Sequence, residues 1–127
     1  MIQLTRHDHI VLTVANIEQS CEFYSRVLGM KIEIFGHGRT GLSFGSQKIN
    51  LHEHGHEFDP KARNPRPGSA DLCFISDTPL EEVVEHLKFC GVTVELGPIE
   101  RRGAAGTIRS VYLRDPDLNL IEIANEE

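Results

Sequence analysis

An internal repeat of about sixty residues constrains this chain more than any other feature, because a repeated unit too small to bury a core must be completed by its copy. Asp8 is matched by Asp71, Val11 by Phe74, Ile17 by Leu80 and Gly29 by Gly91. In the first copy, residues 8–14 are β-branched and apolar, which reads as a strand. Asn16 offers an N-cap, and Ile17, Cys21, Tyr24, Val27 and Leu28 recur at helical spacing before Gly29. Residues 30–35 alternate as a strand, and Gly36, Gly38 and Gly41 punctuate a turn before Leu42, Ser43 and Phe44. Gly45-Ser46 is a hairpin signal ahead of a strand over 48–53. The second copy repeats the order, with a strand over 70–76 and a helix opened by Thr78-Pro79 that ends at Cys90-Gly91. Residues 92–96 alternate until Gly97-Pro98 breaks them, and strands over 107–113 and 119–124 follow. The expectation is an α+β protein of two tandem βαβββ modules, about 4–56 and 70–124, joined by a loop over 57–69 within one domain spanning 1–127. Two such sheets side by side would form a cupped, partly open barrel with helices outside and polar residues within.

Composition narrows the function. The net charge is −6, from 19 acidic and 13 basic residues, which disfavours a nucleic acid partner. No apolar run is long enough for a membrane span, and residues 1–6 do not read as a signal peptide. Three cysteines, Cys21, Cys73 and Cys90, read as reduced thiols of a cytoplasmic protein. Strand alternation is expected to send Cys73 to the helix side, as core packing.

Histidine is the unusual component, with four of seven at His37, His52, His54 and His56. Ile49 and Leu51 should face the helix, so Asn50, His52 and His54 share the opposite face. His54, His56 and the Gly-flanked His37 are read as running into solvent. Glu122, an acid between Ile121 and Ile123, must point away from the core. By the same alternation Ser110 and Tyr112 face the cup while Val111 and Leu113 face the helices. Arg101 and Arg102, ahead of the loop over 103–106, are candidates to meet an anionic group. Arg66 and Arg63 on the proline-rich loop are weaker ones, and Phe58 on the same loop is also of a residue type that binds. Asp115-Pro116-Asp117 is a turn without a catalytic role, and Leu118 after it would be strained in a left-handed conformation.

Asp8-His9-Ile10, Phe23-Tyr24 with Leu28-Gly29-Met30, and Asp115-Pro116-Asp117 with Asn119-Leu120-Ile121-Glu122 together resemble the vicinal oxygen chelate superfamily. That group holds glyoxalase I, bleomycin and fosfomycin resistance proteins, extradiol dioxygenases and methylmalonyl-CoA epimerase. The stretch from Lys48 to Glu53 through Pro60-Lys61-Ala62, Pro65 and Pro67-Gly68-Ser69 is similar to the small lactoylglutathione-lyase-like members. The resemblance implies one divalent metal per site (Ni, Zn, Mn or Fe), with ligands from the first and last strand of each module. It assigns His9, His52 and Glu122 as ligands, with Asn50 or His54 as substitutes for His52. Leu72 is read at the fourth position, where a histidine would stand, and Leu cannot coordinate.

The function implied is a glyoxalase-type lyase or isomerase acting on a small 2-oxoaldehyde thiol adduct, with Glu122 and His52 as catalytic residues. Ser110, Tyr112, Arg101, Arg102 and Arg66 would contact the substrate. The resemblance also implies a homodimer whose sites are shared, His9 and His52 from one chain and Glu122 from the other. An iron-dependent extradiol dioxygenase and a non-catalytic protein that binds a drug or metabolite, as bleomycin resistance proteins do, stand as alternatives.

Overall fold

The computed structural model describes all residues from Met1 to Glu127. The chain forms two compact units, Met1–Pro67 and Gly68–Glu127. In the first, the order is β1 (His9–Val14), α1 (Ile17–Arg26), β2 (Lys31–Phe35), β3 (Arg39–Phe44) and β4 (Gln47–Glu53). The second holds β5 (Asp71–Ile75), α2 (Leu80–Phe89), β6 (Leu96–Arg102), β7 (Thr107–Arg114) and β8 (Leu120–Glu126). Each unit is therefore a βαβββ module with an open four-stranded mixed sheet, ordered β1-β4-β3-β2 and β5-β8-β7-β6. This is the α+β architecture expected from the repeat.

Helix α1 starts where Asn16 accepts the Gln19 amide on its side chain at 2.9 Å. It stops where Gly29, at φ 70°, lets the Gly29 and Met30 amides return to Ser25 and Tyr24. Its Cys21, Phe23 and Tyr24 are buried, as are Leu12, Val14, Leu42, Ile49 and Leu51 of the sheet. In the second module Leu80, Val83 and Leu87 of α2 are buried together with Val111, Leu113 and Ile121. At roughly 1.5–3 kcal/mol per large apolar side chain removed from water, these sets are what hold helix to sheet.

The two helices begin by different means. Pro79 provides no side-chain cap, and the Leu80 amide instead donates to Asn125 Oδ1 of β8 at 2.7 Å. The first module has the counterpart, the Ile17 amide donating to Glu53 Oε1 of β4 at 3.3 Å. Glu53 and Asn125 are thus equivalent positions of the repeat, and this aligns the two modules residue by residue.

Two expectations need correction. Residues 92–95 are not a strand; β6 starts at Leu96 and runs through Gly97-Pro98 to Arg102. The strand survives the break because its register shifts between Leu96 and Ile99. Gly97, at φ 105°, makes the shift possible, since a Cβ there would lie 2.3 Å from the Ser110 carbonyl oxygen. Residues 39–41, read as part of a turn, open strand β3 instead.

Candidate functional site

In parallel and antiparallel pairs alike, residues facing each other across the ladder share a face of the sheet. His9 pairs with Lys48, Val11 with Asn50 and Thr13 with His52, so these six share the face away from the buried Ile49 and Leu51. His9 is exposed, its Nδ1 2.9 Å from Asp8 Oδ2. A carboxylate only accepts, so Nδ1 donates to Asp8 and Nε2 is the nitrogen turned to other partners. The hydrogen bond from His9 holds the Asp8 carboxyl below the usual range.

His52 is the buried histidine, 7% exposed, with its ring edge-on to Phe58 at 5.7 Å. Burial first, and then the Arg39 charge, pushes its pKa below the ordinary imidazole value, so the ring is neutral at pH 7. Asn50 lies between the two histidines along the sheet, and its buried Oδ1 has no hydrogen-bond partner. Room for that amide comes from Gly41, where a Cβ would meet Asn50 Oδ1 at 3.2 Å. At about 3.3 Å rise per residue and 4.8 Å between strands, the register sets the Asn50 Cα about 8 Å from that of His9, and His52 about 14 Å away. A cavity of about 210 Å³ is lined by His9, Asn50 and His52, with Phe35, Arg39 and Phe58 among its walls.

In the second module Cys73 pairs with Glu122, and Glu122 with Tyr112, on the face away from the buried Ile121 and Ile123. The fully buried Ser110 donates from Oγ to Glu122 Oε2 at 2.6 Å. Arg101 Nε donates to the Tyr112 hydroxyl at 3.1 Å. Arg102 is exposed at the end of β6, and Arg66 is exposed on the connection between modules, outside the cavity lining.

Two readings of the first strand of this module are overturned. Cys73 does not face the helix; it reaches solvent beside Glu122. Its packed surroundings, and next the Glu122 carboxylate, push its pKa up to about 11, so it is a thiol and not a thiolate at neutral pH. Leu72 is not the counterpart of His9, since it pairs with the buried Ile121 and lies on the helix side. Counting back from the equivalent Glu53 and Asn125, the counterpart of Lys48 is Leu120 and that of His9 is Asp71. The same count makes Asn50 the counterpart of Glu122. The sequence overlay slipped because the link from β5 to α2 is one residue longer than that from β1 to α1.

His54 and His56 follow the end of β4 and are exposed, 3.7 Å from Glu57 and 3.9 Å from Glu53. His37 is exposed in the turn before β3. Phe58, expected from the sequence as a residue that binds, lines the cavity, whereas Arg39 escaped the sequence reading. Its signal was the alternation of Arg39, Gly41 and Ser43 against Thr40 and Leu42, hidden behind three nearby glycines. No three His, Cys, Asp or Glu side chains come together within the chain as a metal-holding group.

The family model of the glyoxalase/bleomycin resistance protein/dioxygenase superfamily matches residues 6–123. The virulence protein STM3117 of Salmonella typhimurium is 52% identical over 121 residues, 95% of this chain and 84% of that protein. The glyoxalase domain-containing protein RDO1 of Mycosarcoma maydis is 50% identical over 118 residues, 93% of this chain and 66% of RDO1. A solved structure of the V. cholerae integron cassette protein VCH_CASS1 is 54% identical, covers 100% of this chain and 99% of its own, and superposes with a TM-score of 0.98. With the module architecture and this match over nearly the whole length, the chain belongs to the glyoxalase/bleomycin resistance protein/dioxygenase superfamily.

Proposed function

We propose that this chain is a cytoplasmic, divalent-metal-dependent lyase or isomerase of the glyoxalase type, acting on a small 2-oxoaldehyde thiol adduct as lactoylglutathione lyase does. The observation that carries this reading is Asn50. Its buried Oδ1 lacks a donor, and it stands in the first module where Glu122 stands in the second. A buried acceptor left unsatisfied fits a positive partner. The counterparts His9 and Asp71 add an imidazole oriented by Asp8 and a carboxylate. Such an oxygen-rich set suits Mn or Fe(II), and accepts Ni or Zn.

In the homodimer that family membership suggests, His9 and Asn50 would come from one protomer and Asp71 and Glu122 from its partner. When bound, the ion supplies positive charge to two neighbouring substrate oxygens. Glu122 takes the proton from one substrate carbon and returns it to the next, with Ser110 holding the carboxylate in place. His52, expected from the sequence as a ligand, is assigned here to the substrate. Its neutral ring lines the cavity but lies farther from His9 than Asn50 does.

Elemental analysis tests this reading. The expected result is one ion per chain in the native protein, lost in Asn50→Ala and Glu122→Ala. His52→Ala should keep the ion and lose turnover of the glutathione adduct. An ion lost only with His52→Ala would return that residue to the ligand set. Iron-dependent oxygen uptake would favour the dioxygenase, and no ion after reconstitution would leave a binding protein.

A further inference from the structure

The first module's cavity has a feature that metal binding does not use. Arg39, the first residue of β3, lays its guanidinium over the Phe58 ring, 4.5 Å from its centroid. Lys48 of β4 does the same over Phe35, with its ammonium 4.1 Å from that centroid. Neither cation takes part in an ion pair, whereas Arg26, Arg109 and Arg114 each hold a glutamate. Glu57, the acid that precedes Phe58, is engaged by the Gly55 amide and Lys61. A ring face offers a cation a fraction of what a carboxylate offers, and leaves its N–H donors free. Arg39 therefore lines a cavity whose wall also holds the buried His52 and whose one acidic lining residue is Asp59.

We propose that this cavity recognises a small organic carboxylate, with Arg39 taking the acidic group and the Phe58 and Phe35 rings taking the apolar part. A volume of about 210 Å³ lies below the roughly 300–1,000 Å³ of pockets for drug-sized molecules, which points to a metabolite. The inference deepens the functional reading by naming an acidic substrate. It rests on that reading only in equating the bound anion with the substrate.

The test uses benzoate and its neutral isostere benzamide, titrated into metal-free, full-length protein and followed by amide chemical shifts at low salt. Benzoate should shift Thr40, Asn50 and His52 saturably and bind about ten-fold more tightly than benzamide, as a charge-assisted contact implies. Arg39→Gln should abolish that preference, and Arg39→Lys should keep part of it, since charge survives but the planar fork does not. Asp59→Asn should strengthen benzoate binding, and Lys31→Gln, outside the cavity lining, should leave it unchanged. Equal binding of the two probes overturns the proposal, as does an unchanged preference in Arg39→Gln. Absence of a saturable benzoate shift at these residues overturns it too. Because no metal is present, none of these outcomes depends on the ligand assignment. Failure of the metal reading would appear in the elemental analysis instead.

Discussion

Ser110, without solvent exposure, donates its hydroxyl to Glu122 across 2.6 Å, so the acid proposed to move a proton is held from beneath by a buried donor. A hydrogen bond to a charged group contributes about 1.5–3 kcal/mol, and deleting it leaves the carboxylate without its partner. Ser110→Ala should therefore lower unfolding stability at pH 7 by about that amount, read from urea denaturation of metal-free protein. Glu122→Gln keeps an acceptor oxygen for the hydroxyl and should cost less. A larger loss in Glu122→Gln than in Ser110→Ala would show that the charge and not the hydrogen bond anchors this strand pair.

On the other side of Glu122, Cys73 carries a thiol raised to about 11. A raised pKa means less thiolate at a given pH, and only the thiolate is alkylated. In metal-free protein, iodoacetamide should label Cys73 slowly at pH 8 despite its exposure, with the rate still climbing above pH 10. Removing the neighbouring negative charge in Glu122→Gln should move the profile toward lower pH and speed labelling at pH 8. Mapping the modified cysteine by mass spectrometry separates it from Cys90. An unchanged profile in Glu122→Gln would mean that surroundings alone hold the thiol protonated.

The fold was readable because burial imposes periodicity on both modules. Ile49 and Leu51, or Ile121 and Ile123, show their face by alternation alone. What alternation does not carry is the phase between two copies when one link gains a residue. That is why Leu72 was matched to His9 while the ladder matches Asp71 to it. Cys73 was misplaced for the same reason, since a one-residue slip exchanges the faces of a strand. That Arg39 meets Phe58 was hidden for another cause, since the contact joins a strand start to a loop and no local pattern encodes such a pairing.

The equivalence of Glu53 and Asn125 makes a stability prediction that depends on where each helix finds its cap. Asn125 accepts from Leu80 and donates to the carbonyls of Ser76 and Thr78, and α2 has no other side-chain cap. Glu53 accepts one longer bond while Asn16 already caps α1. Asn125→Ala should cost about 2–3 kcal/mol and Glu53→Ala under about 1 kcal/mol, at the usual contribution per hydrogen bond. Equilibrium denaturation of both variants, with Asn16→Ala for comparison, checks the order. Equal losses would mean that the two positions match in place but not in role.

Leu118 takes the left-handed conformation, with φ 69°, although the strain that a leucine meets there suggested a different turn type. It stays there because the turn around it is fixed by others. Asp115 accepts from the Asp117 and Asn119 amides, and Asn119, fully buried, accepts from Ala70. The Leu118 side chain is itself 67% exposed, so little packing offsets the backbone cost. A left-handed non-glycine residue costs about 1–2 kcal/mol, and glycine gives back about 0.5–1 kcal/mol through the freer unfolded chain. Leu118→Gly should thus stabilise the protein by about 0.5–1 kcal/mol, raising Tm by a few degrees. Leu118→Asn, which tolerates this conformation without the added chain freedom, should do at least as well. Because the Arg114 contact is made to the Leu118 carbonyl, both variants retain it. A loss of stability in both would mean that the leucine side chain has a packing partner in the assembled protein.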